Sequence, residues 1–128
     1  MDAIDGLEKL VTGVKQAAQQ RGWIKAIDGR RIDVDSPHKA LNYLLQSSAG
    51  VVAKRWMVIA NEDVTSRPCE AQQLAFIHDE LQFECHRDAA YLVGQTLMAA
   101  AECAGSFYKL RLPINAEAKI GPTWADVH

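Results

Sequence analysis

Cysteine is scarce and scattered: Cys69, Cys85 and Cys103 are the only three, and no two form a C-x-x-C pair. An odd, widely spaced set argues against a disulfide framework and against a tetrahedral zinc site. No apolar run approaches the ~20 residues that a membrane helix needs. The first residues, Met1-Asp2-Ala3-Ile4-Asp5, are acidic and carry neither the basic nor the apolar region of a secretory signal. There is no internal repeat and no low-complexity tract. The expectation is a soluble, cytoplasmic protein with free thiols, folded as a single domain over residues 1–128.

What is present fits that expectation. The chain has 128 residues, 48% hydrophobic and 23% charged, an ordinary globular composition. That length buries a core without covalent staples. The net charge of −2 does not mark a nucleic-acid binder, but the charge is uneven. Residues 1–55 hold 9 Lys/Arg against 6 Asp/Glu, net +3, and residues 56–128 hold 5 against 10, net −5. Such a division is compatible with phosphate contacts beside a metal-binding region. On charge alone, ordinary surface charge is the better reading.

Ile4, Leu7, Leu10, Val11, Val14 and Ala18 recur at helical spacing, which predicts an amphipathic helix over residues 3–20 stopped near Gly22. From Trp23 to Val34, Asp28-Gly29 separates two β-prone runs and predicts a hairpin with a tight primed turn. Lys25, Arg30 and Arg31 then sit near that turn. Ser36-Pro37 opens a helix to about Asn61, with Ser as N-cap and Pro at the first helical position. Leu41, Leu44, Leu45, Ser48, Val52, Trp56 and Ile59 form its expected buried stripe. His38, Asn42, Gln46, Ala49 and Ala53 line a second face, hydrogen-bonding at one end and small at the other. After a polar loop, residues 74–78 and 81–85 read as strands, with Asp79-Glu80 at the turn. A two-residue connection there pairs Phe76 with Phe83 and Leu74 with Cys85 on the packed side. Asp88 caps a helix to about residue 104, stopped by Gly105. A last strand-like run reaches Lys119, broken by Pro113. The element string αββαββαβ predicts an α+β fold, an antiparallel sheet with helices mainly on one face.

The chemistry centres on the turn. Adjacent carboxylates held at a sheet edge offer hard oxygen ligands suited to Mg2+ or Mn2+. Asp79 is the candidate ligand and Glu80 its neighbour. Aspartate is also common in turns because it tolerates their geometry, so the dipeptide alone does not establish a metal site.

The surrounding residues add a resemblance. Phe76-Ile77-His78-Asp79-Glu80-Leu81 resembles motif C of family A DNA polymerases, an apolar strand, His-Asp-Glu, then a second apolar strand. Trp23–Val34 is similar to that family's hairpin ahead of its long palm helix. Ser36-Pro37-His38-Lys39-Ala40-Leu41-Asn42-Tyr43-Leu44-Leu45-Gln46-Ser47 is similar to the phage-type version of the helix. Lys54-Arg55 follows at the expected distance, and Gly121-Pro122, Trp124 and His128 resemble the family's usual close. The similarity runs from about Trp23 to the last residue, and residues 1–20 match only loosely. The resemblance implies a polymerase palm segment whose motif C hairpin spans about residues 73–86. It implies that Asp79 binds catalytic Mg2+ or Mn2+, with Glu80 less essential. His78 would lie against the primer end, and Asn42 and Gln46 would reach the minor groove of primer–template DNA. Arg30, Arg31, Lys54, Arg55 and Lys25 are candidates for phosphate contact, as plausibly as for surface charge or fold-stabilising pairs. The implied reaction is two-metal nucleotidyl transfer from a dNTP.

Parts of the family pattern are missing. No segment matches motif A, which supplies the other essential aspartate, and the fingers, thumb and exonuclease segments have no counterpart. The chain alone is therefore expected to be inactive, its metal weakly bound or absent. Three origins fit: a piece of a longer protein, a prophage remnant with its own start codon, or one chain of a split polymerase docking onto a separate fingers-and-thumb chain. Surfaces that would face the missing parts make self-association an expectation. Two other functions compete: a non-catalytic duplex-binding or partner-docking module that keeps the palm shape, and, last, a small metal-dependent nuclease.

Overall fold

The computed structural model describes residues 4–127. The chain forms two compact units, Met1–Val51 and Val52–His128. In the first, helix α1 spans Leu7–Arg21. Gly22 ends it in a left-handed conformation (φ 73°), its N–H donating to the Ala18 carbonyl at 2.9 Å. This is the expected stop. The expected start at residue 3 is corrected, since Ile4 precedes the helix and Ala3 lies outside the described residues. Val14, Ala17 and Ala18 bury α1 against Ile24, Ile32, Val34, Ala40, Tyr43 and Leu44.

Strands β1 (Trp23–Lys25) and β2 (Arg31–Asp33) pair antiparallel, with Ile24 opposite Ile32. The hairpin is the expected one, but its turn differs. Ala26 N–H donates to the Arg30 carbonyl at 2.7 Å and Gly29 N–H to the Ala26 carbonyl at 3.0 Å. The loop therefore has three residues, 27–29, and ends on Gly29 at φ 89°. A type I turn closed by a left-handed glycine is the usual alternative to the two-residue primed turn.

Pro37–Lys39 forms a short 3-10 turn leading into helix α2, Ala40–Thr65. Ser36 stands at the N-cap without a capping hydrogen bond from its side chain. The entry is tied instead by Asp35, whose carboxylate accepts from Lys39 Nζ at 2.7 Å and Tyr43 OH at 2.9 Å. The helix passes the expected end near Asn61 because the fully buried Ala60 and Val64 continue its inner stripe. Leu45 leaves the expected stripe and is 55% exposed.

In the second unit, β3 (Ala71–Ile77) and β4 (Glu80–Cys85) form an antiparallel pair. Helix α3 spans Ala90–Phe107 and follows a 3-10 turn whose N-cap is His86, not Asp88. Trp56 Nε1 donates to the Leu97 carbonyl at 2.8 Å, joining the later part of α2 to α3. The buried face of α3 is mostly small: Val93, Gly94, Thr96, Ala100, Ala101, Ala104 and Gly105. Small residues admit the close approach of the segment that follows. A Cβ on Gly105 would lie 2.8 Å from Ile114 Cγ1, and one on Gly94 would lie 3.2 Å from Ala118 Cβ. Gly105 is thus a packing position inside the helix rather than its stop. Lys109 ends the helix at φ 54°, with Lys109 N–H on Ser106 O and Leu110 N–H on Gly105 O, the paired bonds of a Schellman cap.

The fold is α+β with antiparallel strands. Among the described residues those strands make two separate two-stranded sheets rather than one. The expected C-terminal strand is absent there: residues 109–120 are irregular, and Ile114, Ala118 and Ile120 lie beside the glycines of α3. No helix among the described residues is long and apolar enough to cross a membrane.

Candidate active-site hairpin and candidate nucleic-acid contacts

The β3–β4 hairpin carries the candidate carboxylates. Its ladder pairs Ile77 with Glu80, Phe76 with Leu81 and Ala75 with Gln82, then shifts at Leu74 so that Gln73 meets Phe83 and Ala71 meets Cys85. The connecting residues are therefore His78 and Asp79, and Glu80 is the first residue of β4. This corrects the expected Asp79-Glu80 turn and the expected pairs Phe76–Phe83 and Leu74–Cys85. Leu74, expected on the packed side, is the extra residue of a bulge and is 59% exposed. A bulge leaves one residue unpaired and re-aims its side chain.

His78 has φ 56°. A two-residue connection needs positive φ at its first position to match strand twist. Histidine is one of the few non-glycine residues found there with any frequency. The imidazole makes no hydrogen bond or ion pair within the described residues. Asp79 follows at the tip, and His78, Asp79 and Glu80 are all exposed. Glu80 Oε1 accepts a bond from Gln82 Nε2 at 3.3 Å.

The two carboxylates are of the donor type that a hard divalent cation takes. Two consecutive carboxylates at an exposed tip match magnesium, which takes one or two protein carboxylates and keeps waters or phosphate oxygens for the rest of its shell. No group of three or more His, Cys, Asp or Glu placed to hold a metal occurs among the described residues. The cysteines are all free. Burial, followed by the nearby Cys69, pushes the Cys85 thiol above its usual range, and a raised pKa makes a thiol inert at neutral pH.

Asn42 and Gln46 lie four residues apart in α2, on one face, and both are exposed. The exposed Leu45 and Ala49 neighbour them, so this face is less polar than the sequence stripe suggested. Arg30 and Arg31 are already engaged. Arg30 Nε bonds Asp28 at 2.5 Å and Arg31 Nε bonds Asp33 at 2.7 Å, both on the surface. Exposed pairs of this kind are worth little and exchange readily for another anion. Lys54 is exposed and makes no ion pair with another described residue. Arg55 is half-buried, its guanidinium 4.0 Å from the Phe107 ring centroid. Thus His78, Asp79 and Glu80 share one hairpin end, Arg30 and Arg31 share another, and Asn42 and Gln46 share a helix face.

Sequence reasoning passed over Arg21 and Trp23. The Arg21 guanidinium lies 5.2 Å from the Trp23 ring centroid, and that of Arg31 lies 5.4 Å away. The legible signal was strand alternation, which puts Trp23 and Lys25 on one face with Arg31 across the ladder.

The chain was compared with known proteins. A family model described as DNA polymerase family A matches residues 2–126. The DNA-directed DNA polymerase of Escherichia phage T7 is 34% identical over 125 residues, covering 92% of this chain and 18% of that protein. DNA polymerase I of Treponema pallidum is 32% identical over 117 residues, covering 90% of this chain and 11% of that protein. The chain therefore spans less than a fifth of the length of these curated relatives. Among solved structures, the POL domain of Pol1 from M. smegmatis, in complex with DNA primer-template and dNTP, superposes with a TM-score of 0.77. That match covers 89% of this chain and 22% of the other at 24% identity, a likeness of fold.

Proposed function

Since the chain belongs to DNA polymerase family A, we propose that its β3–β4 hairpin is motif C of a templated nucleotidyl transferase, the palm element that presents Asp79 to the catalytic metals. One observation carries the reading: an exposed aspartate at a hairpin tip, behind a histidine in the left-handed conformation and between two antiparallel strands. Asp79, with Glu80 as the lesser neighbour, would hold Mg2+ or Mn2+. Bound there, such a cation stabilises charge developing on a transferring phosphoryl group.

The other residues position nucleic acid. The imidazole of His78, without a partner among the described residues, is available to the primer end. Asn42 and Gln46 present amide donors to minor-groove acceptors, which are similar for all base pairs and so report pair shape rather than sequence. Lys54, without an ion pair among the described residues, offers its charge to a backbone phosphate. Arg30, Arg31 and Arg55 would exchange Asp28, Asp33 and the Phe107 ring for phosphate. The partners are primer–template DNA and a dNTP, in cytoplasmic DNA replication.

In-line transfer needs two metals, clamped by more than one carboxylate cluster. We infer that this chain works only together with further polymerase sequence, joined or separate, that supplies the second cluster. Primer extension with the purified chain, dNTPs and Mg2+ is expected to give no product. Templated addition that Asp79→Ala abolishes would overturn the dependence on a second part. Anisotropy of a labelled primer–template across a salt series tests the surface itself. Binding should fall with salt, and Asn42→Ala/Gln46→Ala should weaken it about tenfold, two hydrogen bonds of about 0.5–1.5 kcal/mol each. Absence of binding at high protein concentration would refute a competent duplex surface. Nucleotide addition by a complete enzyme that survives Asp79→Ala would count against the catalytic role and favour a non-catalytic duplex-binding module.

A further inference from the structure

On one face of the β1–β2 hairpin the proposed function uses Arg31 and leaves Trp23 and Lys25 without a role. Ile24 and Ile32 face each other across the ladder and pack inward among Val14, Ala18, Ala40 and Leu44. Alternation then puts Trp23, Lys25, Arg31 and Asp33 on the outer face. Lys25 stands directly opposite Arg31. Like charges so placed oppose strand pairing. Asp33 answers Arg31 at 2.7 Å. Neither Lys25 nor Arg21 belongs to any ion pair of the described residues. Arg21, from the last turn of α1, joins Arg31 over the indole, with Lys25 on the same hairpin face.

The aromatic ring is accessible in a particular way. Trp23 is only half-buried. The guanidiniums of Arg21 and Arg31 stand 5.2 and 5.4 Å from its centroid, farther out than the 4.0 Å at which Arg55 covers Phe107. Both guanidiniums stand over the ring but belong to exposed residues, so a base stacks there by taking the place of one of them.

We propose that this face binds unpaired nucleotides, the Trp23 indole stacking a base while Arg21 and Lys25 meet the flanking phosphates. A ring set among cations is how single strands are held without sequence preference. An acidic peptide would satisfy the cations and leave the ring without a purpose, so the nucleotide is the better occupant. The inference rests on the polymerase reading only in that a template strand supplies unpaired nucleotides.

Anisotropy of a labelled oligothymidylate of about a dozen nucleotides, within the usual site sizes, tests it on the full chain. Trp23→Leu should weaken binding at least about fivefold, the low end for loss of one base stack. Trp23→Phe keeps a ring and should retain most of the affinity, which separates stacking from a folding defect. Arg21→Gln/Lys25→Gln should reduce the salt slope by roughly 1.4, two single-strand phosphate contacts. Unchanged affinity in Trp23→Leu overturns the proposal. So does a polyglutamate peptide that binds more tightly than the oligonucleotide at equal salt. Blunt duplex, measured alongside on the unaltered chain, keeps the two readings apart. Duplex bound without oligothymidylate overturns this inference alone, and neither bound overturns both.

Discussion

His78 and Lys109 make a matched pair for a test of strain at the candidate active site. Their φ values are 56° and 54°, both belong to the second unit, and neither is a glycine. One sits at the β3–β4 turn and the other at the cap of α3. Holding a residue with a Cβ in the left-handed region costs about 1–2 kcal/mol. Glycine removes that cost but gives the unfolded chain extra freedom, which offsets about 0.4–1 kcal/mol. Neither side chain forms an ion pair or hydrogen bond among the described residues, so little else is lost. His78→Gly and Lys109→Gly should therefore each stabilise the chain by about 0.5–1 kcal/mol. Urea titrations followed by far-UV circular dichroism would read this as higher midpoints at unchanged slope. The two should part in function. Lys109→Gly should leave primer–template binding alone, whereas His78→Gly should weaken it, because strained residues persist where the strain serves a site. If His78→Gly destabilises the chain, or binds duplex as well as the unaltered protein, the reasoning fails.

Two further outcomes follow from packing and charge. Helical Gly→Ala normally stabilises by about 0.8–1 kcal/mol, and Gly13, with nothing near its would-be Cβ, should behave so. Gly105→Ala should instead destabilise by up to about 2 kcal/mol, since overpacking costs about 1–3; equal gains at the two positions in thermal melts would refute the packing of Ile114 on α3. The hydrogen bond from Lys39, then that from Tyr43, holds the Asp35 carboxyl below its usual range. A depressed carboxyl contributes stability above its unfolded-state pKa, near 3.9, and loses it as pH falls through the folded value. Acidification below about pH 4 should thus cost the unaltered chain more than Asp35→Asn. A 13C titration of the Asp35 carboxyl that stays put in Lys39→Met would contradict the assignment.

The departures from the sequence reading share a cause. Helix existence and both hairpins were legible because spacing, Gly22, Asp28-Gly29 and Ser36-Pro37 act within a few residues of themselves. Misplaced details depended on partners distant in sequence. The turn moved from Asp79-Glu80 to His78-Asp79 because register follows the whole ladder, including a bulge at Leu74 that no local pattern announces. Gly105 looked like a stop because its role is set by Ile114, nine positions on. Leu45 looked buried because periodicity alone cannot say where an inner stripe ends.

By itself, then, the sequence determined the helices, the two hairpins, the family resemblance and the carboxylate pair. These rest on local propensity and on motif order, which need no third dimension. Tertiary structure decided which residue occupies the turn tip, that the strands stay in separate pairs, and that residues 109–120 run without strand pairing along α3. It also decided that Arg30 and Arg31 already hold carboxylates and that Arg55 and Arg21 stand over rings, while Lys54 has no ion pair among the described residues. Whether a cation is available depends on which carboxylate or ring the fold brings beside it, and composition does not carry that.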